Sequence, residues 1–185
     1  IPCAGRSKRF GELKQFKMLN GEPLVFKSIK IFLQIDKINE IIIPVPKGNY
    51  DLLNILLDNK SFKKKIKVIK GGSTRQESVE KGVEQVNNDS SLVCIHDAAR
   101  PDFSIKLLKT ISKNLKKNKA VVPIVNSRDS IKYKVKNEVF NLNRKNSLLT
   151  QTPQAFNFKE LYKLATKEKS KINDEATLFL NQNYK

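Results

Sequence analysis

The chain is poor in cysteine, histidine and acidic side chains, and it has no long apolar run. Its two cysteines, Cys3 and Cys94, are too few for a disulfide framework and show no metal-ligand spacing. Both fall in apolar stretches that read as strands, so they are expected as buried free thiols in a reducing compartment. A single histidine, His96, has no nucleophile–carboxylate set around it, which argues against acyl-transfer chemistry. Its expected role is structural, a ring that orients its loop by hydrogen bonds. No apolar segment approaches the ~20 residues a membrane crossing needs, and no secretory signal is visible. A cytoplasmic location with no membrane partner is therefore expected. There is no internal repeat and no low-complexity linker.

Acidic residues number 18 against 36 lysines and arginines, a net charge of +18. A surplus of this size suits phosphate-bearing partners. The lysines are scattered rather than gathered in one arm, and asparagine and isoleucine are abundant too, as an AT-rich coding sequence would give. A small polyanionic substrate fits the charge, and a basic nucleic-acid-binding domain stands as the alternative from another class. The 185 residues suffice for one domain with a proper core, read as spanning 1–185. The chain opens at Ile1 on what reads as the second half of a strand and closes at Lys185 without a finishing element. A fragment with both ends truncated is expected.

Apolar periodicity alternates along the chain. Residues 1–4 read as a strand tail, 23–33 as a helix opened by Pro23, and Ile41-Ile42-Ile43-Pro44-Val45 as a strand buried on both faces. Residues 50–57 read as a helix, 66–69 as a strand, 75–86 as a helix and 92–95 as a strand. Residues 104–115 form the next expected helix, with Ser104 as its N-cap, and 120–125 the next strand. Strands separated by helices predict an α/β fold with a doubly wound, mostly parallel sheet, whose ligands sit at the carboxyl ends of the strands. After Val125 the period changes to strict alternation over Ser130–Lys136 and again over 139–143. A protruding β-hairpin arm over 127–147 is predicted, and because a lone hairpin is marginal it is expected to pack on a second subunit. Helices are expected over 158–166 and 174–180.

Three stretches at the expected strand ends carry chemistry. Gly5, Ser7 and Gly11 are interleaved with Arg6, Lys8, Arg9 and Lys14, a small-residue loop dense in cations that suits a phosphate. A polar loop that is basic only because the protein is basic fits the same residues, since short glycine motifs match widely. Gly71-Gly72-Ser73-Thr74-Arg75-Gln76-Glu77-Ser78 leaves backbone groups free to read a flat base edge, or is an ordinary helix start. Asp97 follows a buried strand, where a carboxylate can hold Mg²⁺, accept from ribose hydroxyls, or cap its own loop.

Taken together these stretches resemble the 2-C-methyl-D-erythritol 4-phosphate cytidylyltransferases of the non-mevalonate isoprenoid pathway. The matching residues are Pro2-Cys3-Ala4-Gly5 through Arg9-Phe10-Gly11 and Lys14-Gln15, then Gly71-Gly72 with Arg75 and Ser78, then His96-Asp97-Ala98-Ala99-Arg100-Pro101. Arg128-Asp129-Ser130, Arg144, Thr152-Pro153-Gln154 and Asp174-Glu175-Ala176 continue the series in family order. The resemblance implies a Rossmann-like nucleotidyltransferase domain whose hairpin arm forms a homodimer. It implies transfer of cytidylyl from CTP to methylerythritol 4-phosphate with release of pyrophosphate and with Mg²⁺ as cofactor. By the same resemblance Arg9 and Lys14 hold the triphosphate, and Lys14 stabilises the five-coordinate α-phosphorus. Ala4, Gly5, Gly72, Ser73 and Ser78 contact the nucleotide, Asp97 serves the ribose and Mg²⁺, Arg100, Ser130 and Arg144 grip the sugar phosphate, and Asp174 binds its hydroxyls.

The sequence departs from the family at Ser7, where a glycine is usual, at Cys3, where alanine is usual, and at Ser130, where threonine is usual. The loop before Lys14 is shorter, and the family's C-terminal segment with a further catalytic lysine is not in these residues. Ribitol-5-phosphate cytidylyltransferase is the nearest rival; Ala99 and the Glu175-Ala176 pair lean away from it.

Overall fold

The structure is a computed structural model that describes residues 1–3, 13–58, 65–167 and 170–180. Residues 1–3 lie in extended form beside a long strand, the Ile1 amino group donating to Ile42 O at 2.6 Å and Cys3 N to Pro44 O at 2.8 Å. Equal two-residue steps on both sides make this a parallel pairing. A 3-10 turn, Lys14–Phe16, follows. Its Gln15 is buried and donates through Nε2 to Cys3 O, which ties the turn to the end of the first extended segment. Strands β1 (Met18–Leu19) and β2 (Glu22–Pro23) then form a tight hairpin. Its corner is Asn20-Gly21, both at positive φ, and no strand is read here from the sequence.

Helix α1 (Leu24–Leu33) starts after Pro23, whose fixed φ suits a helix entry. It leads to β3 (Glu40–Val45), α2 (Tyr50–Asp58) and β4 (Lys65–Lys70), and β3 and β4 pair in parallel register from Glu40↔Lys65 to Val45↔Lys70. Helix α3 (Arg75–Glu84), β5 (Leu92–Ile95) and α4 (Ile105–Leu115) follow. Ser104 caps α4 as expected, accepting from Leu107 N at 3.1 Å.

The apolar run 120–125 is two strands rather than one. It divides at Val122-Pro123 into β6 (Ala120–Val121) and β7 (Ile124–Asn126), because proline cannot donate to a ladder. The arm is β8 (Ile131–Val135) paired antiparallel with β9 (Glu138–Leu142), turned at Lys136-Asn137 with Lys136 at φ 52°. Besides β1 and β2, two more strands are not read from the sequence. They are β10 (Leu148–Thr150), antiparallel to β7, and β11 (Gln154–Asn157), antiparallel to both β5 and β6. β5 and β6 therefore point the same way, as α4 between them requires, while β11 runs against them. No helix separates the arm from β11, so the chain cannot cross over to enter in parallel. The strands thus form a parallel pair, β3 and β4, and a three-stranded ladder, β5-β11-β6, with the antiparallel strand at its middle.

Helices α5 (Phe158–Lys167) and α6 (Ala176–Leu180) finish the described chain. The expected helix at 174–180 begins two residues late, because Asp174 is its cap rather than its first turn: Oδ1 accepts from Thr177 N at 3.3 Å. The core divides across the sheet. On one side Val25, Phe26 and Ile29 of α1 meet Ile41, Ile43 and Val45 of β3 and Leu53 of α2. On the other, Val79 and Val83 of α3 meet Phe156, Leu161 and Phe179. The second side comes close enough that a Cβ on Gly82 of α3 would stand 3.2 Å from Pro44 Cγ. Both faces of β3 are covered, which is what its unbroken apolar run demands.

Candidate active site

Three loops meet at the carboxyl ends of β4, β5 and β10. The first is Gly71-Gly72-Ser73-Thr74, leading into α3. Thr74 caps the helix by accepting from Glu77 N at 3.1 Å, and the Glu77 carboxylate reaches back to accept from Ser73 N at 2.7 Å. This is the reciprocal cap that the Thr74-x-x-Glu77 spacing encodes. The Ser73 hydroxyl and backbone hold Glu77 below the usual carboxylate range. Gly72 has no alternative, since a Cβ there would lie 2.2 Å from Glu77 Cβ. Ser78 is fully buried; its hydroxyl accepts from Gly72 N at 2.9 Å and donates to Thr74 O at 2.7 Å. Its hydrogen bonds are spent on the shape of the loop.

The second loop follows β5. His96 is fully buried against Phe32 and Phe103, with Nδ1 3.1 Å from Thr152 Oγ1 and Nε2 3.4 Å from Ser28 Oγ. Burial lowers its pKa to about 3, so the ring is neutral. Thr152 Oγ1 also accepts from Asp97 N at 3.4 Å, and the histidine thus orients its loop, as expected. Asp97 is partly exposed and flanked by two guanidinium groups. Arg75 Nε donates to Oδ1 at 3.1 Å, and Arg100 Nε lies 3.3 Å from Oδ2.

The third loop joins α5 to α6 and meets the end of β10. Thr150 Oγ1 donates to Asp174 Oδ2 at 2.9 Å. Glu175, one residue on, is buried and accepts from Arg75 Nη1 at 2.8 Å and Nη2 at 3.0 Å. Burial pushes the Glu175 carboxyl up against the opposing pull of Arg75. Burial alone would lower Arg75, but Glu175 and then Asp97 hold it above the ordinary arginine value. No sequence signal marks this pair, which lies 100 residues apart in the chain.

The structure thus gathers Gly72, Ser73, Ser78, Asp97, Arg100 and Asp174 around Arg75. Lys14 stands on the 3-10 turn tied to Cys3, at the end of the first extended segment. Ser130 and Arg144 belong to the arm and its base, both exposed, with Arg144 Nη1 donating to Arg128 O at 3.3 Å. Among the described residues no hydrogen bond or ion pair joins either of them to Asp97 or Arg100. Ala4, Gly5 and Arg9 lie outside the described residues. No group of three or more metal-ligating side chains occurs among the described residues. A cavity of about 480 Å³ lies elsewhere, between β3, β5 and α4, and its wall is mainly apolar. It offers no constellation for phosphate chemistry, and the site is placed at the strand ends.

Comparison with known proteins agrees on one family. The family model for 2-C-methyl-D-erythritol 4-phosphate cytidylyltransferase matches residues 1–182. A bifunctional enzyme IspD/IspF of Pelagibacter ubique is 38% identical over 183 residues, 97% of this chain and 48% of its own length. A 2-C-methyl-D-erythritol 4-phosphate cytidylyltransferase of Clostridium beijerinckii is 37% identical over 166 residues, 88% of this chain and 73% of its own. The crystal structure of a 4-diphosphocytidyl-2C-methyl-D-erythritol synthase from Anaerococcus prevotii superposes with a TM-score of 0.86 at 27% identity, covering 100% of this chain and 83% of that one. The chain spans about half the length of the bifunctional relative and about three quarters of the Clostridium one.

Proposed function

The chain belongs to the 2-C-methyl-D-erythritol 4-phosphate cytidylyltransferase family, and from that premise we infer that it transfers cytidylyl from CTP to methylerythritol 4-phosphate. The observation that carries the reading is the meeting of Asp97, Arg100 and Asp174 beside the Gly72 loop, at strand ends where open α/β sheets bind ligands.

An oxygen of the 4-phosphate attacks the α-phosphorus of CTP. The bond from that phosphorus to the bridging oxygen breaks, and pyrophosphate leaves with the electron pair. The attacking oxygen is already ionised at neutral pH, so the site needs no general base. Catalysis is positioning and charge stabilisation. Lys14, with Arg9, holds the triphosphate and steadies charge on the α-phosphoryl group. Ala4 and Gly5 line the nucleotide's approach. The Gly72 and Ser73 backbone reads cytosine, and Ser78 keeps that backbone in shape. Asp97 accepts from ribose hydroxyls. Arg100, Ser130 and Arg144 grip the sugar phosphate, and Asp174 binds its hydroxyls.

The donor set suits Mg²⁺, a hard cation that commonly takes one or two carboxylates and completes its shell with substrate phosphates. Asp97 is the residue that would hold it, and when bound it supplies neutralisation of the triphosphate charge. The protein acts in the cytoplasm, and the described residues contain no helix long and apolar enough to cross a membrane.

The arm completes a homodimer in this reading. Ile131, Tyr133, Val135, Phe140 and Leu142 share one face of the hairpin, with Tyr133 stacked on Phe140 at 5.2 Å between ring centroids. Most of that face is exposed in one copy, an arrangement suited to a second subunit. Arg144 and Ser130, remote from Asp97 by hydrogen bonding, would then serve the partner's site. The test is pyrophosphate release by the full-length gene product with CTP and each of methylerythritol 4-phosphate and ribitol 5-phosphate. Release with ribitol 5-phosphate alone overturns the substrate assignment, and release with neither overturns the reaction.

A further inference from the structure

Four charged side chains form one continuous chain at the strand ends. Glu175 takes both outer nitrogens of Arg75, at 2.8 and 3.0 Å; Arg75 Nε holds one oxygen of Asp97 at 3.1 Å; Arg100 faces the other at 3.3 Å. The exposures fall in order along it. The Glu175 side chain is 3% exposed, Arg75 and Asp97 about a third, and Arg100 50%.

We propose that Glu175 is a positioning residue that cancels the charge of Arg75, leaving the Asp97 carboxylate electrostatically available to a divalent cation. This deepens the cytidylyl-transfer reading and rests on it. Without Glu175, Asp97 would face two guanidinium groups alone, a net charge of about +1 at the place where a dication must bind. With Glu175 the four groups sum to zero. Arg100 is the outermost of the four, and when it turns to an anionic substrate the remaining three sum to −1. The cluster then attracts a dication in step with the arrival of the phosphate.

Burial of a carboxylate is costly, and an ion pair of this kind adds little net stability. What it adds here is charge balance and a fixed rotamer. Arg75 presents its planar fork to Glu175 and its remaining Nε–H to Asp97, a division that lysine cannot reproduce. Glu175 touches no reacting atom in this arrangement and acts through Arg75 on Asp97.

The test uses the full-length protein with Mg²⁺ as the activating metal and Mn²⁺ as the binding probe. Glu175→Gln keeps the size and the polar contacts and removes the charge. It is expected to raise the Mg²⁺ concentration for half-maximal pyrophosphate release by about tenfold, and to weaken Mn²⁺ binding in the presence of CTP, read by electron paramagnetic resonance, by a similar factor. The double variant Arg75→Gln with Glu175→Gln removes both charges and is expected to bind Mn²⁺ within about threefold of the unmodified chain. It also stands alone if the single variant does not fold. Unchanged Mn²⁺ affinity in folded Glu175→Gln, or a tenfold loss in the double variant, overturns the proposal. Failure of the unmodified protein to bind Mn²⁺ with CTP and to release pyrophosphate overturns the functional reading instead.

Discussion

Lys14 and His96 show how differently one side chain can matter in the same loop system. Lys14 is assigned to charge that grows on the α-phosphoryl group. Lys14→Ala is expected to lower kcat by roughly 10²- to 10³-fold, as loss of a comparable transition-state donor does, measured by pyrophosphate release. A change confined to KM would assign Lys14 to ground-state binding. His96 matters through its burial. Its pKa in the fold is about 3, against 6.5 for the free side chain, so between these values the unfolded chain binds the proton and the folded chain does not. Its contribution is intact above pH 6.5 and declines as the pH falls towards 3. Between pH 7.5 and 5 the His96 share of that decline is about 2 kcal/mol. Urea denaturation at the two pH values should show it, and the difference should shrink in His96→Asn. An equal pH dependence in both proteins would mean that the ring titrates normally. Glu175 belongs to this scale as well, since its worth lies in the charge it presents to one neighbour.

The arm is where an element, rather than a residue, decides behaviour. Its strict alternation puts Tyr133 and Phe140 on one face with Ile131, Val135 and Leu142, and Lys132 and Lys134 on the other. A two-stranded hairpin cannot bury that apolar face by itself. Tyr133→Glu with Phe140→Glu is expected to leave the domain folded and to convert a dimer to a monomer in sedimentation velocity. Retained dimer would move the interface to another surface. The glycine loop and α3 act as an element too. Thr74, Glu77 and Ser78 satisfy the backbone groups at its start, so Gly72 and Ser73 are held in one shape. The strand pair β7/β10 is the arm's stem, and it places Thr150 against Asp174, so the stem and the start of α6 are tied together.

Over the whole molecule the dominant property is the charge of +18. A positive surface raises the local concentration of polyanionic substrates, and dissolved salt screens it. KM for CTP is expected to rise several-fold between about 50 and 300 mM salt while kcat changes little. A KM independent of salt would show that the scattered lysines do no steering. The same experiment with duplex DNA addresses the other class: binding to any sequence with a steep salt slope would favour a nucleic-acid role.

The sequence by itself determined the alternation of strands and helices, the hairpin, the caps at Ser104 and the family. Each of these is written in short-range periodicity or in motifs a few residues long, such as Ile41–Val45 or His96-Asp97-Ala98-Ala99-Arg100. It missed β1, β2, β10 and β11, because strands of two to four residues are too short for a periodic signal, and Leu148–Thr150 and Gln154–Asn157 are held by pairing with strands far off in the chain. It named Arg75 and Glu175 without joining them. Only the tertiary structure decided that α6 brings Glu175 to Arg75 and Asp174 to Thr150, since a contact across 100 residues depends on how helices cross the sheet. The local pattern fixes which groups are available, and the packing of the core fixes which of them share a charge.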